Sequence, residues 1–134
     1  MIHSGHYNAI RQAKNMGDSL VVGVNSDSDL LKNKGPTVMN VQERSEILKH
    51  CKFVDKVVAD TPYTPTVELL KELNCNFYAH GDDPCIDANG LNLNEYFAGI
   101  GMFKQFKRTE GVSTTDITGK LLALAEYTLN EEMQ

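Results

Sequence analysis

Leu20-Val21-Val22-Gly23-Val24 is a short, unbroken apolar run, and it decides the fold class of this chain of 134 residues. A run of this length suits a strand that is buried on both faces, as in a parallel sheet. Further strand-like segments at 54–59, 77–79 and 103–107 are separated by helical patterns. The alternation predicts an α/β fold, in which a doubly wound parallel sheet carries helices on both faces.

Helical spacing of apolar residues predicts the remaining elements. The polar stretch 25–29 is expected to cap a short helix through Leu30 and Leu31, and a long amphipathic helix is expected to end the chain. The other predicted helices cover residues 7–16, 41–51, 66–73 and 94–99, and the final helix covers 114–129. The chain is predicted to form one domain, 1–134.

Composition excludes several classes of function. The formal net charge of −5 argues against nucleic acid or an anionic membrane as the main partner. No apolar run is long enough to span a bilayer, and no signal peptide is visible. Cys51, Cys75 and Cys85 are odd in number and lack metal-type spacing, which is typical of reduced thiols in a cytosolic protein.

The polar segments that follow the strands are expected to form the functional site. Residues 25–28, 61–66, 80–83 and 108–114 each come directly after a predicted strand. Ligands of open α/β sheets bind beyond the carboxyl ends of the strands. We therefore expect these segments to gather at one rim of the sheet.

His3-Ser4-Gly5-His6 is the most informative short motif, at what is predicted to be the opening turn of a helix. Free N–H groups and the helix dipole attract phosphate there, and Gly5 has no Cβ to keep an anion away. Two imidazoles can stabilise the charge that grows on a transferring phosphoryl group. Taken alone, such a motif is more often a surface turn or a pair of metal ligands than a catalytic site, and His6 can also serve as a helix cap.

A second phosphate-type segment lies about a hundred residues away, at 108–116. Hydroxyl and N–H groups of Ser113, Thr114 and Thr115 precede the last predicted helix and can hold phosphate oxygens, although they are also ordinary N-cap residues. Arg108 carries a planar fork that suits phosphate and base edges.

With these pieces in place, the sequence resembles the cytidylyltransferase family, Rossmann-like nucleotidyltransferases that join CTP to a small phosphorylated alcohol. Residues 3–6 are similar to the family's H-x-G-H motif, and residues 108–115 to its R-T-x-G-[IV]-S-T-[TS] motif. Lys34-Gly35 resembles the lysine loop of the family, and residues 53–58 resemble its W/Y-V-D-E-V-V strand.

Within the family, the phosphoethanolamine enzymes resemble this chain more than the phosphocholine enzymes do. Residues 80–85 and Pro62-Tyr63 are of the ethanolamine type, whereas 38–40 and 49–51 are of the choline type. A quaternary ammonium is best held by aromatic faces, and the chain has no tryptophan. A primary ammonium instead requires oxygen acceptors.

The resemblance implies roles for individual residues. The implied catalytic residues are His3, His6, Lys34 and Arg108. The implied nucleotide-binding residues are His3, Gly5, His6, Lys34, His80, Gly81, Asp82, Arg108, Thr109, Gly111, Val112, Ser113 and Thr114. The implied contacts to the alcohol are Tyr63, Asp82 and Asp83. Mg²⁺ is expected to enter with CTP, without a dedicated metal cage in the protein, and a cytoplasmic homodimer is expected.

The chain also departs from the family pattern. The family motif normally begins earlier, with a strand and G-x-F-D-x-x-H-x-G-H, whereas this chain starts inside it. The first strand, expected in the middle of the sheet, is therefore missing, and its neighbours would keep unpaired backbone groups. We expect an incomplete copy of a longer, often tandem, enzyme that is unstable or poorly active.

Several alternatives remain open at this point. The alcohol can instead be phosphocholine or glycerol 3-phosphate. The chain can be an adenylyltransferase of the same superfamily, although residues 108–115 speak against ATP. It can also be a non-catalytic nucleotide-binding or dimerisation module.

Overall fold

The computed structural model describes residues 2–82, 85–87, 89–113, 117 and 121–122. Within these ranges, helices and strands follow one another in the predicted order. The helices are α1 (Ser4–Lys14), α2 (Asp27–Asn33), α3 (Val41–Lys49), α4 (Val67–Glu72) and α5 (Leu93–Gly99). The strands are β1 (Val21–Asn25), β2 (Lys56–Thr61), β3 (Tyr78–Gly81) and β4 (Phe103–Phe106). The helix predicted over 114–129 falls largely outside the described residues.

Polar side chains begin the described helices, as the sequence predicted for the 25–29 stretch. Ser26 Oγ accepts a hydrogen bond from the backbone N–H of Asp29 at 3.2 Å and caps α2. Asn40, Thr66 and Asn92 cap α3, α4 and α5 in the same way. These caps satisfy N–H groups that have no partner within the helix. No helix in the described ranges has the length and apolar character needed to cross a bilayer.

The strands form two parallel pairs. β1 pairs with β2, with Val22 opposite Val57, and β3 pairs with β4, with Tyr78 opposite Phe103. Among the described residues, no strand joins β1 to β3, so each of these strands has one strand partner. The parallel α/β architecture is as predicted.

The prediction that β1 is buried on both faces is wrong. Val24 is the one residue of β1 classed as buried, Gly23 is exposed, and the flanking residues are half-buried. Helix α1 likewise buries none of its residues completely. An apolar run signals burial only when neighbouring elements cover it, and one edge of β1 has no strand partner in the described part of the chain.

β2 extends two residues beyond its predicted end because it contains a bulge. Val24 lies opposite Ala59 but Asn25 lies opposite Thr61, so Asp60 is an extra residue in β2. Asp60 has φ 57°, a left-handed conformation that is uncommon outside glycine. The bulge places the buried Thr61 beside Asn25, and Thr61 Oγ1 donates a hydrogen bond to Asn25 Oδ1 at 3.3 Å.

Helix α1 contacts both parallel pairs. On one side, Lys14 Nζ binds Asp55 Oδ2 at 2.6 Å, and the same carboxylate oxygen accepts a hydrogen bond from the N–H of Leu20 at 2.7 Å. These contacts lower the pKa of Asp55, first through the Lys14 hydrogen bond and then through the Leu20 N–H. On the other side, Lys104 of β4 donates to the carbonyl oxygen of Met16, just after α1, at 2.6 Å.

An apolar cluster lies in the half of the molecule that contains β3 and β4. Leu70, Leu93 and the fully buried Phe97 form its centre, between α4 and α5. Tyr78 packs against this cluster, and burial, followed by the neighbouring Cys85, raises the pKa of its phenol. Cys51, Cys75 and Cys85 are free and half-buried, in agreement with the sequence.

The placement of this cluster is tested by a Leu→Ala substitution inside it and by the same substitution at an exposed position outside it. Leu70→Ala, in α4, removes a side chain that is 8% exposed and is expected to lower the free energy of unfolding by roughly 2–5 kcal/mol. Leu31→Ala, in α2, removes one that is 60% exposed and is expected to change it by less than about 0.5 kcal/mol. Denaturant titration measures both values, and equal losses at the two positions would contradict the placement of the core.

Candidate active site

The two histidines of the first turn cap helix α1 for each other. His3 is the N-cap residue, and its Nδ1 accepts a hydrogen bond from the backbone N–H of Gly5 at 3.1 Å. In return, Nδ1 of His6 accepts from the backbone N–H of His3 at 3.2 Å. The ring centroids lie 4.0 Å apart. The motif forms the opening turn of a helix, as predicted, although α1 begins three residues before the predicted range 7–16. This reciprocal arrangement is a capping box built from imidazoles.

The capping geometry fixes the tautomer of each neutral imidazole. A ring nitrogen that accepts a hydrogen bond carries no proton, so the proton of a neutral ring lies on Nε2. Both histidines therefore offer an Nε2–H donor when they are neutral. Capping and ligand binding use different nitrogen atoms, so the two roles that the sequence left open for His6 are compatible.

The electrostatic surroundings keep His6 neutral at neutral pH. Partial burial, followed by the nearby charges of His3 and Lys34, lowers the pKa of His6 from 6.5 to about 4. The residue exposes more than a third of its surface, so solvent weakens this effect. Lys34 is the C-cap residue of α2, and its charge is one of those that lower the pKa of His6.

Gly5 leaves space for the His3 ring and for a residue of the second motif. A Cβ built on Gly5 would lie 2.9 Å from His3 Cε1, closer than such atoms approach. The same position lies 3.8 Å from the Cβ of Thr109. Gly5, which is predicted to leave room for an anion, therefore also leaves room for the His3 ring of the cap. The histidine motif and the second motif, which are distant in the sequence, meet at this point.

Residues 108–113, here called the 108–113 loop, form most of a polar cavity of about 480 Å³. Asp82, directly after β3, completes its lining. Asp82 Oδ1 accepts a hydrogen bond from the backbone N–H of Arg108 at 3.2 Å, which fastens the loop to the carboxyl end of β3. Polar residues also meet at the strand ends of the other pair, where Thr61 binds Asn25. The expected gathering of all four polar segments at one rim stays a prediction.

The structure brings together part of the predicted site. His3, Gly5 and His6 lie beside Thr109, and Asp82 lines one cavity with Arg108, Thr109, Gly111, Val112 and Ser113. Gly81 lies at the base of the loop, where a Cβ on it would be 3.8 Å from Arg108 Cβ. The predicted residues Asp83 and Thr114 lie outside the described residues.

Several of the predicted residues that the structure describes do not line this cavity, namely His3, Gly5, His6, Lys34, Tyr63, His80 and Gly81. His80 belongs to β3, which ends two residues later than predicted, and its ring contacts Tyr78 with centroids 5.9 Å apart. The backbone N–H of Tyr63 donates to Asp29 Oδ2 at 3.3 Å, and its phenol lies near enough to Tyr78 to influence that group's pKa.

Sequence reasoning missed the residues that join α1 to the second motif. Asn8 Nδ2 donates to Thr109 Oγ1 at 2.6 Å, and Gln12 Nε2 donates to the carbonyl oxygen of Lys107 at 2.9 Å. Asn8 and Gln12 are four residues apart and therefore lie on one face of the helix. That polar spacing was visible in the sequence, but nothing in it identified a partner about a hundred residues away.

Among the described residues, no group of three or more His, Cys, Asp and Glu side chains lies together in a way that could hold a metal ion. The region contains the imidazole rings of His3 and His6 next to the 108–113 loop, whose Arg108 side chain, hydroxyl groups and N–H groups are able to bind an anion. An α/β protein with such donors beyond its strand ends is of the phosphate-binding, nucleotide-binding class.

Comparison with known proteins narrows this class. The model of the family described as cytidylyltransferase-like matches residues 1–120, and this chain belongs to that family. The ethanolamine-phosphate cytidylyltransferase of Dictyostelium discoideum is 49% identical over 122 residues, which cover 91% of this chain and 34% of that protein. Choline-phosphate cytidylyltransferase A of Homo sapiens is 42% identical over 124 residues, which cover 91% of this chain and 34% of that protein. This chain spans about a third of the length of these curated relatives.

A solved structure supports the fold. The lipopolysaccharide core biosynthesis protein from Thermoplasma volcanium superposes with a TM-score of 0.65, covering 82% of this chain and 90% of that one. The two sequences are 20% identical, so the likeness concerns the fold alone. Together with the family match, it confirms the Rossmann-like α/β architecture.

The lowered pKa of His6 predicts how stability depends on pH. The folded state resists protonation of His6 between its unfolded value near 6.5 and its folded value of about 4. The free energy of unfolding should therefore fall as pH decreases through this range, and His6→Gln, which can keep the cap, should reduce the fall. Denaturant unfolding from pH 8 to pH 4 measures the free energy of unfolding of the wild type and of His6→Gln. The same pH dependence in both proteins would contradict the lowered pKa of His6.

Proposed function

We propose that this chain transfers the cytidylyl group of CTP to phosphoethanolamine, giving CDP-ethanolamine and pyrophosphate. A phosphate oxygen of phosphoethanolamine attacks the α-phosphorus of CTP, and the bond from that phosphorus to the bridging oxygen breaks. The electron pair of that bond leaves with pyrophosphate. The observation that carries the proposal is the meeting of the histidine turn with the 108–113 loop, through Gly5 and Asn8 at Thr109.

Positioning and charge stabilisation account for catalysis of this reaction, since no covalent intermediate is required. His3 and His6 donate from Nε2 to the α-phosphate and to the triphosphate oxygens, where negative charge grows. His6 does so as a neutral donor, because its pKa is lowered to about 4. Lys34 adds a positive charge to the triphosphate site.

The 108–113 loop provides the second half of the nucleotide site. Arg108 and the polar groups of Thr109 and Ser113 face a cavity whose lining is mainly polar. Gly111 has φ 75°, a conformation in which a side chain would be strained. The loop can therefore curve around a phosphate chain and present backbone N–H groups to it.

Magnesium enters this proposal as part of the substrate, MgCTP. Carboxylate clusters suited to a resident ion are not found among the described residues. Phosphate oxygens of the nucleotide are hard ligands that Mg²⁺ prefers. Bound there, the ion neutralises charge on the triphosphate while the protein groups hold the nucleotide in place.

Phosphoethanolamine is preferred over phosphocholine for two reasons. The chain has no tryptophan with which to form an aromatic cage, and the thiol of Cys85 lies beside Tyr78, at a position where the choline type offers an aromatic side chain. The carboxylate of Asp82 lines the cavity, and with Tyr63 and Asp83 it is proposed to face the alcohol. Phosphocholine is the second candidate, because similarity to the choline enzyme extends over the same share of the chain.

The cellular location and the oligomeric state of the enzyme are also proposals. The resemblance of the motifs to cytidylyltransferases favours a cytoplasmic homodimer, and the free cysteines are compatible with a reducing compartment. A non-catalytic nucleotide-binding module is the alternative from another class. Intact donors at His3, His6, Lys34 and Arg108 favour the enzyme.

Pyrophosphate release tests the proposal. The chain, supplied with MgCTP and phosphoethanolamine, is expected to release pyrophosphate, and more slowly with phosphocholine or with ATP in place of CTP. His6→Ala should reduce turnover by roughly 10²–10³, because it removes a donor to the developing charge. The control His50→Ala removes an exposed histidine that contacts Glu46, outside the site, and should leave turnover unchanged.

Two results would contradict this assignment. No pyrophosphate release from a folded wild-type chain that binds CTP would favour the non-catalytic module. Equal activity in His6→Ala and His50→Ala would remove the first turn of α1 from the chemistry.

A further inference from the structure

We propose that Asn8 and Arg11 are positioning residues that fix the hydroxyl of Thr109 as a hydrogen-bond donor to a phosphate group in the cavity. The inference rests on the proposed function, because the phosphate is taken to be that of the nucleotide. It assigns a role to two residues of α1 that the sequence motifs do not include.

The three side chains form a continuous chain of hydrogen bonds. Arg11 Nη2 donates to Asn8 Oδ1 at 2.7 Å, and Asn8 Nδ2 donates to Thr109 Oγ1 at 2.6 Å. Asn8 and Thr109 are half-buried, whereas Arg11 is exposed. The chain therefore leads from a charged group at the surface to a hydroxyl at the wall of the cavity.

The chemistry of arginine decides the direction of every bond in this chain. A guanidinium has donors and no acceptor, so the group of Asn8 that faces Arg11 must be the carbonyl oxygen. The amide NH₂ of Asn8 then faces Thr109 and must donate. The hydroxyl oxygen of Thr109 accepts this bond, and its single hydrogen is left to point away from Asn8.

The cavity lies where that hydrogen can be used. Thr109 lines it, and within the described residues Asn8 is the hydrogen-bond partner found for the hydroxyl. The first turn of α1 is adjacent, with a Cβ built on Gly5 at 3.8 Å from Thr109 Cβ. Thr109 therefore lies between the cavity and the histidine turn. Positive charge on Arg11 polarises the chain and strengthens the final donor.

A second contact separates positioning of the hydroxyl from positioning of the loop. Gln12 Nε2 donates to Lys107 O at 2.9 Å, and the N–H of Lys107 donates to Gln12 Oε1 at 3.4 Å. Gln12 thus holds the backbone at the start of the loop from both sides. Since the backbone already has this anchor, the specific effect of Asn8 is on the Thr109 hydroxyl.

The substitution Asn8→Asp reverses the last bond of the chain. The new carboxylate can accept from Arg11 but has no hydrogen to give, so Thr109 must turn its own hydrogen toward position 8. The hydroxyl is then lost as a donor to phosphate, a bond to a charged group whose loss costs about tenfold or more in affinity. Thr109→Val, which has the same shape and no hydroxyl, should cause a similar loss of affinity. Thr109→Ser keeps the hydroxyl and should bind about as tightly as the wild type.

The double variant Asn8→Asp/Thr109→Val separates this effect from simple charge repulsion. If the chain of hydrogen bonds acts as proposed, the double variant binds no more weakly than Thr109→Val, because no hydroxyl remains to be turned. Repulsion between the new carboxylate and phosphate would persist in the double variant and make the losses additive. Additive losses, or unchanged affinity in Asn8→Asp, would overturn the inference. Thermal unfolding of each variant confirms that folded protein is compared.

Calorimetric titrations with MgCTP and with inorganic tripolyphosphate distinguish this inference from the proposed function. If both ligands bind but the losses of affinity in Asn8→Asp and Thr109→Val are additive, the inference is overturned and the proposed function stands. Binding of tripolyphosphate but not of CTP overturns the function, and the same variants then test the inference on tripolyphosphate. A wild-type chain that binds neither ligand overturns both.

Discussion

Hydrogen bonds between helix α1 and the segment that follows β4 hold the two halves of the site together. Asn8 binds the side chain of Thr109, and Gln12 binds the backbone of Lys107. At the other end of the helix, Lys14 binds Asp55 beside the first pair of strands. Two-stranded sheets are marginal on their own. Because α1 contacts both pairs, the relative placement of the histidine turn and the 108–113 loop depends on this helix.

The histidines can combine a structural role with the chemical role proposed for them. Nδ1 of each ring is committed to the cap of α1, which fixes the orientation of the ring and leaves the proton on Nε2. A cap therefore does not compete with a role in binding phosphate but prepares the ring for it. Gly5 is required for the same reason, since a Cβ there would displace the His3 ring.

The sequence predicted the type and order of most elements, because apolar periodicity and capping residues are local signals. It also predicted the motifs that meet at the site, since His3–His6 and the 108–113 loop are recognisable without a structure. It did not predict the exposure of Gly23 in β1 or the bulge at Asp60, which depend on neighbouring strands. The contacts of Asn8 and Asp82 escaped prediction because their partners are distant in the chain.

The central claim is that the histidine turn and the 108–113 loop bind one nucleotide. Titration of ¹⁵N-labelled protein with MgCTP, followed by amide NMR signals, tests it most directly. The account predicts that the signals of Gly5 and His6 shift together with those of Thr109 and Gly111, all with a single dissociation constant. Shifts confined to one of these two groups, or two different dissociation constants, would contradict it.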